Sequence, residues 1–202
     1  MHRAEILDAA ERVFVRDGYQ GATIERIAQE AQFGVGTLYN FFEGKQQLFE
    51  EVVTKRADDA LAALEASVLS EPDPLKAFEA LVELRLTFPH QHRDFSGVFY
   101  DVVPSARANL SGSLPGRCQE LYDRYLSALV GIIRKGGADG VFRNEDPLYL
   151  ALGLEGALHG ICFYWIQEDP AEPLAERVAK AKRVLAGMML TPQDHRAKER
   201  AP

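Results

Sequence analysis

The sequence has little that would build a redox, metal-binding or membrane protein. Its two cysteines, Cys118 and Cys162, lie far apart without a CxxC pair, which is typical of a reduced, cytoplasmic setting. No apolar run is long enough to cross a bilayer, and the acidic, uncleavable N-terminus is unlike a signal peptide. We therefore expect a cytoplasmic protein that needs no membrane, metal or cofactor.

Signals for β-strands are nearly absent as well. We find no sustained period-2 alternation and no Asn-Gly or Asp-Gly turn between β-branched runs. Helical periodicity dominates instead, over 202 residues of which 47% are hydrophobic. The pattern predicts an all-α protein of about nine helices. Its net charge of −7 argues against coating nucleic acid by bulk charge, but leaves room for a small DNA-reading surface with local cations.

The first three helices are short and closely spaced. The first helix has one apolar face and is predicted to stop at Gly18. Thr23 then caps a second helix, which ends at Ala31. A turn of about four residues leads to a third helix near Gly34, which is helix-turn-helix spacing. We predict a helix-turn-helix domain over residues 1–47 and a helical ligand-binding and dimerisation domain over residues 48–202. Within the second domain, the helices are predicted at about residues 46–67, 74–87, 95–102, 117–135, 147–167 and 174–190, with "TFPHQHRDF" as a loop.

The stretch "QFGVGTLYNFF", residues 32–42, would be the helix that reads DNA. A helix in a major groove needs a slim leading end, which Gly36 provides. The spacing predicts that Leu38, Phe41 and Phe42 pack inward. The side chains left outside are those of Val35, Thr37, Tyr39 and Asn40. Asn40 can form paired hydrogen bonds with adenine, and Val35 or Thr37 can contact a thymine methyl group. The hydroxyls of Thr37 and Tyr39 are typical phosphate contacts. Three flanking groups are predicted to meet phosphates, namely Thr23, Arg26 and Lys45.

The run "ILDAAERVFVRDGYQGATIERIAQEAQFGVGTLYNFFEGKQQLFEEVV" resembles the N-terminal domain of the tetracycline-repressor (TetR) family of transcription regulators. Gly18-Tyr19, Thr23-Ile24 and Gly36-Thr37-Leu38-Tyr39 carry the resemblance, together with Phe14, Phe42 and Lys45-x-x-Leu48. Two positions depart from the family pattern: Gln32 stands where glycine is usual, and Gly34 where a small hydroxyl residue is. Gln32 would cost about 1 kcal/mol in a left-handed conformation.

The resemblance implies a repressor that binds palindromic operator DNA as a homodimer and responds to a small molecule. Two helices are candidates for the dimer surface. The penultimate helix has a stripe of small residues, which are Gly153, Gly156, Ala157 and Gly160. The last helix has an apolar face that includes Val178, Ala181 and Leu185. Packing of the same helices within one chain is the alternative.

The effector pocket is predicted from aromatic residues of the second domain. Rings with a few polar tips suit a mostly apolar effector, and the candidates are Phe95, Phe99, Tyr122, Tyr125, His159 and Phe163. The alternative is that these rings are ordinary core.

Other functions have weaker support. "GVGTLY" lacks the third glycine and the preceding strand of a dinucleotide loop, and no spacing suggests a catalytic triad, so we expect no enzyme. His90 and His92 form an HxH in the predicted loop, where metal binding is an alternative to solvated histidines. A helical binding protein without DNA-binding activity is the other reading, since residues 1–56 carry seven cations against nine acids, 7 − 9 = −2.

Overall fold

The computed structural model describes residues 2–102, 116–168 and 171–192. This part of the chain forms nine α-helices and no strand beyond one isolated bridge, Phe142 to Leu190, which confirms the all-α prediction. The helices are α1 His2–Gly21, α2 Ile24–Ala31, α3 Val35–Tyr39, α4 Lys45–Leu64, α5 Pro74–Gln91, α6 Arg93–Val102, α7 Gly116–Ala138, α8 Pro147–Glu168 and α9 Leu174–Met189. A π-helical segment, Glu65–Leu69, continues α4.

The chain divides into two compact units. The N-terminal unit comprises Met1–Asp59 with His92–Gln119, and the C-terminal unit comprises Ala60–Gln91 with Glu120–Pro202. The N-terminal unit therefore holds more than the predicted 1–47. The reason is apolar burial: the first turns of α4 bury Phe49 and Val52 in its core, and α6 adds Phe95, whose ring lies 6.1 Å from that of Phe49.

The C-terminal unit is built around α5, which packs against α8 and α9. The predicted loop "TFPHQHRDF" is wrong in part, because α5 continues over Pro89 to Gln91 and α6 begins at Arg93. Pro89 removes one backbone donor, and its ring crowds the carbonyl four residues earlier. The buried face of α5, which includes Leu81 and Leu86, outweighs that loss.

Helix α8 is the one described helix that is long and apolar enough to cross a membrane by length and composition. The core helix of a soluble protein passes the same test. Here α8 packs on α5 and α9, and it buries Leu154, Leu158 and the carboxylate of Glu155 within the unit. Packing inside the C-terminal unit therefore accounts for part of its apolar character, since 39% of the apolar stretch is buried and other apolar residues of α8 are exposed.

Candidate DNA-binding surface

The end of α1 is shaped by a single glycine. The backbone of Gly18 has φ 67° and ψ 167°, which interrupts the helix at the predicted stop. Such a φ suits glycine, because a Cβ crowds the neighbouring carbonyl there. The chain then turns so that α2 packs against α1 through Ile24, Ile27 and Ala28.

Helix α2 is capped at both ends. The Thr23 hydroxyl accepts a hydrogen bond from the Arg26 N–H at 3.3 Å, so the predicted N-cap is confirmed. At the C-terminal end, Gln32 has φ 59°, the left-handed conformation for which the family pattern usually has glycine. The N–H of Phe33 donates to the Ala28 carbonyl at 2.9 Å, which closes the helix with a Schellman-type bond.

Helix α3 is short and only loosely covered by the rest of the unit. Leu38 is 1% exposed and Phe42 is buried, as predicted. The prediction for Phe41 is wrong: Phe41 lies in the turn after Tyr39, where α3 ends, and it is 36% exposed. Tyr39 is 55% exposed, and Asn40 is exposed beside it as the C-cap.

The leading end of α3 carries two glycines, Gly34 and Gly36, on either side of Val35. Gly34 is its N-cap and makes no side-chain cap bond. A Cβ built on Gly36 would meet no heavy atom within 4 Å, and Gly36 has no positive φ. Neither strain nor packing within the chain therefore requires glycine at Gly36. Val35 and Thr37 are half-buried beside it, whereas Asn40, the predicted adenine reader, lies at the other end of α3 as the C-cap.

The predicted phosphate contacts are already engaged within the unit. The Lys45 ammonium donates to the Tyr19 carbonyl at 2.8 Å and lies 4.5 Å from the centre of the Tyr19 ring. The Arg26 Nη1 donates to Asp17 Oδ2 at 3.0 Å. Over residues 2–59 every lysine and arginine makes a bond to a carboxylate or carbonyl, and these cations are Arg3, Arg12, Arg16, Arg26, Lys45, Lys55 and Arg56.

Three arginines and two acids of α1 and α2 form a group that we call the guanidinium cluster: Arg12, Arg16, Arg26, Asp17 and Glu30. Glu30 accepts from Arg12 at 2.8 Å and from Arg16 at 3.1 Å. Hydrogen bonds from Arg16 lower the pKa of Asp17, and those from Arg12 and then Arg16 lower the pKa of Glu30. Both acids are therefore ionised at neutral pH, and the cluster carries a net charge of +1.

Arg3 is a residue that the sequence reasoning missed. Its Nη1 donates to the Phe41 carbonyl at 2.9 Å, and its Nη2 lies 2.5 and 2.6 Å from the two carboxylate oxygens of Glu51. The guanidinium also lies 4.5 Å from the centre of the Phe42 ring. Arg3 thereby ties the chain after α3 to α4. The partners lie 38 and 48 residues away, so no local pattern signals the contact.

The C-terminal unit contains a buried polar cluster among the predicted pocket residues. Glu155 is 2% exposed, and its carboxylate accepts from the Tyr125 hydroxyl at 2.5 Å and from Arg85 Nη2. Burial raises the pKa of Tyr125 and of Tyr122, whose ring centre lies 6.2 Å from that of Tyr125. The cluster therefore joins α5, α7 and α8 through one carboxylate.

The other pocket candidates lie in different surroundings. His159 and Phe163 are half-buried on α8, the helix that carries Glu155. Phe95 instead belongs to the apolar core of the N-terminal unit. Phe99 is on α6, and its side chain falls outside the described part of the chain. Among the described residues no group of three His, Cys, Asp or Glu side chains lies together as a metal site would require.

The predicted dimer residues fall on two kinds of surface. Gly153, Gly156 and Gly160 are exposed on α8, where an added Cβ would meet no heavy atom within 4 Å, and Ala157 is half-buried between them. The α9 residues of the prediction, Val178, Ala181 and Leu185, are buried inside the chain instead. That part of the prediction is wrong, because this face of α9 packs within the C-terminal unit. The exposed apolar residues of α9 are Val184 and Met188.

Comparison with known proteins bears directly on this arrangement. The family model for bacterial regulatory proteins of the tetR family matches residues 6–52. The HTH-type transcriptional repressor SCO4008 of Streptomyces coelicolor is 30% identical over 146 residues, covering 72% of this chain and 69% of the repressor.

Two solved structures share the fold. A TetR transcription regulator from Haloarcula marismortui has a TM-score of 0.78 at 20% identity, covering 94% of this chain and 98% of that one. The regulator FadR of Bacillus subtilis, solved with stearoyl-CoA, has a TM-score of 0.72 at 16% identity, covering 91% and 97%. With its helix-turn-helix geometry and these relatives, the chain belongs to the tetR family of bacterial regulatory proteins and is a DNA-binding transcriptional regulator.

Proposed function

We propose that the protein is a repressor that binds palindromic operator DNA as a homodimer and leaves it when a mostly apolar small molecule binds the C-terminal unit. The observation that carries the DNA-reading part is the leading end of α3, where Gly34 and Gly36 have no side chain. Glycines at this end let the backbone of a helix approach base edges closely. Asn40 would then read adenine, while Thr37 and Tyr39 would hold the sugar-phosphate backbone.

Selection of bound duplexes from a random pool tests this proposal. We expect a palindrome whose half-sites lie about one duplex turn apart, roughly 34–36 Å. Asn40→Ala should relax the preference at one base pair of each half-site, and Tyr39→Ala should weaken binding to all sequences alike. A selected motif that Asn40→Ala leaves unchanged would remove Asn40 from base reading.

The homodimer is supported by apolar surface that the single chain leaves uncovered. On α8, Tyr149, Leu152 and Tyr164 are exposed alongside the glycine stripe, and on α9 Val184 and Met188 are exposed. Small residues let two helices approach closely, and two helices from each protomer would make a four-helix interface. The interface we propose therefore uses the outer faces of α8 and α9.

A matched pair of glycine variants tests the interface. Gly156 and Gly131 are both exposed helical glycines with no heavy atom within 4 Å of a Cβ position. Gly156→Arg should convert the dimer to monomer in sedimentation velocity, while Gly131→Arg on α7 should remain dimeric. A Gly156→Arg protein that sediments as the wild type does would contradict the proposed surface.

The effector proposal is supported by half-buried aromatic side chains on α7 and α8, the helices that also carry Tyr125 and Glu155 of the polar cluster. Rings such as Tyr122 and Phe163 suit an apolar ligand body, and the cluster offers polar groups for one end of it. The FadR neighbour was solved with stearoyl-CoA, which makes that compound a reasonable first probe.

A ligand screen by thermal shift, followed by DNA binding, tests the effector proposal. An effector should raise the melting temperature and weaken DNA binding by about 5–150-fold, the usual range of allosteric coupling. Tyr122→Ala should reduce that response while leaving DNA affinity without ligand unchanged. A ligand that stabilises the protein with no effect on DNA affinity would not be the effector.

A further inference from the structure

The start of α9 holds a buried cation that has no ion-pair partner among the described residues. Arg177 lies in the first turn of this helix and is 6% exposed. Its Nε and Nη1 are enclosed by the protein without a hydrogen-bond acceptor. We propose that Arg177 and the first turn of α9 bind the carboxylate of an amphiphilic small molecule. This site goes beyond the effector pocket of the proposed function, whose candidate Tyr122 lies on α7.

A guanidinium without a partner is unfavourable inside a protein, because burial removes the water that would solvate its charge. Two acids lie close to Arg177 in the sequence, but neither pairs with it. Glu172 pairs with Lys180, and Glu176 is exposed. The hydrogen bond from Lys180 is the main cause that lowers the pKa of Glu172, and Arg177 adds a weaker attraction. An anionic ligand would therefore supply the acceptor that these acids do not.

The guanidinium is positioned by an aromatic ring. Its Cζ lies 4.9 Å from the centre of the Trp165 ring, which is itself 8% exposed on α8. Stacking on a ring orients the plane of a guanidinium and leaves its edges for acceptors, and a carboxylate can accept two parallel N–H bonds from one edge. Nη2 has no acceptor in the described part of the chain either, and unlike Nε and Nη1 it is not enclosed. The edge that carries Nη2 is therefore the one that a ligand can reach.

The N-terminus of α9 adds backbone donors to the same place. Pro173 is the N-cap and makes no side-chain cap bond. The N–H groups of Leu174 and Ala175 have no acceptor within the described ranges. The first turn of a helix carries partial positive charge and binds anions through such N–H groups. Helical side chains lean toward the N-terminus, so Arg177 extends toward these donors.

The apolar neighbours of Arg177 favour an alkyl carboxylate over an inorganic anion. Leu174 lies one turn before Arg177 on the same face of α9 and is half-buried. The residues that follow Trp165 and Arg177 in the sequence, Ile166 and Val178, are buried apolar side chains. An alkyl chain gains free energy when it is buried against such groups, whereas a phosphate or sulfate does not. We therefore expect a monocarboxylate with an apolar chain.

Tryptophan fluorescence can test this site directly, because Trp165 is the single tryptophan of the sequence. The protein is titrated with sodium octanoate at constant ionic strength, and 1-octanol serves as the uncharged control. Octanoate should change the emission of Trp165 in a saturable way, and 1-octanol should not. Each buried CH₂ that is removed should weaken binding about fourfold, so hexanoate should bind about 16-fold more weakly than octanoate.

Arg177→Met removes the guanidinium and keeps an unbranched apolar chain. Replacement of a buried, unpaired charge by an apolar side chain is often neutral or stabilising, so the melting temperature without ligand should stay constant or rise. Octanoate should bind this variant about tenfold more weakly or less still. Arg134→Met is the charge-matched control, since Arg134 is an exposed arginine on α7, and it should bind octanoate as the wild type does.

Arg177→Lys keeps the positive charge but loses the planar pair of donors, so it should also bind octanoate more weakly than the wild type. This variant keeps the test informative if Arg177→Met fails to fold. Equal octanoate binding by the wild type, Arg177→Met and Arg177→Lys would exclude a carboxylate at Arg177. A wild type whose Trp165 emission does not respond to octanoate would overturn the proposal as well.

A carboxylate side chain of a second copy of the chain is the other source of the same chemistry. Sedimentation velocity of the wild type and Arg177→Met distinguishes the two sources. Under the proposal both proteins have the same oligomeric state, because the carboxylate comes from the small molecule. A variant that is monomeric where the wild type is dimeric would assign the carboxylate to the second copy and overturn the small-molecule site.

Discussion

Gly36→Ala should make the protein more stable and its DNA binding weaker. Alanine is favoured over glycine in a helix by about 0.5–1 kcal/mol. No heavy atom of the described residues lies within 4 Å of the added Cβ, so no clash with them opposes this gain. For a protein of this size, 1 kcal/mol corresponds to about 2–4 °C in melting temperature, and we expect a rise of about 1–4 °C.

The same methyl group should interfere with DNA. Carbon atoms in contact lie about 3.5–4.0 Å apart, so a backbone that approaches bases more closely than an alanine permits must withdraw. A penalty of about 1.4 kcal/mol already lowers affinity tenfold. We therefore expect at least a tenfold loss on the selected operator, measured by fluorescence polarisation beside thermal unfolding.

Gly131→Ala is the control, because Gly131 is an exposed helical glycine on α7 with equally open space. It should raise the melting temperature and leave DNA binding unchanged. If Gly36→Ala is stable and binds the operator within twofold of the wild type, the close approach of α3 to bases is refuted.

Three further outcomes are expected. Arg3→Ala should lower the melting temperature by up to about 2–4 °C, because an exposed ion pair stabilises by up to about 1 kcal/mol, and should weaken all duplexes without changing the salt slope. Tyr125→Phe leaves one oxygen of the buried Glu155 without its donor, which should cost about 2 kcal/mol and about 4–8 °C by calorimetry, whereas Tyr122→Phe should change little. The carboxylates of the guanidinium cluster have pKa values lowered from 3.8 and 4.5, so their stabilising effect is present above pH 4.5 and is lost as the pH falls through the lowered pKa values. Urea unfolding midpoints should therefore be constant from pH 7 to pH 5 and fall in acid, and a midpoint that rises in acid would contradict this sign.

The local features of the DNA-reading unit were predictable from sequence. The stop at Gly18, the cap at Thr23 and the left-handed Gln32 each depend on the chemistry of one residue and its near neighbours, and each is present in the structure. Backbone sterics and capping act over a few residues, so a single sequence contains the information. The inward prediction held for Phe42 but not for Phe41, because helical spacing alone does not say how far the core extends around the turn after Tyr39.

Features that depend on distant parts of the chain were not predictable in the same way. Periodicity identified an apolar face on α9 but could not say whether Val178 and Leu185 meet another protomer or the same chain, where they in fact pack. Phe95 likewise lies in the core of the N-terminal unit, although its place in the sequence is beyond α5. Only tertiary packing decides which apolar faces meet.

The way the first core is assembled limits how this regulator can be recombined with its relatives. A fragment ending at residue 47 would lack Leu48, Phe49 and Val52, which are buried in that core. The core also includes Phe95, which follows α5 in the sequence. A single continuous N-terminal fragment that ends before α5 therefore lacks part of the core of the DNA-binding unit. To exchange operator preference with a relative, a chimaera should therefore replace only the surface residues of α2 and α3. The core of the N-terminal unit and the C-terminal unit should stay unchanged.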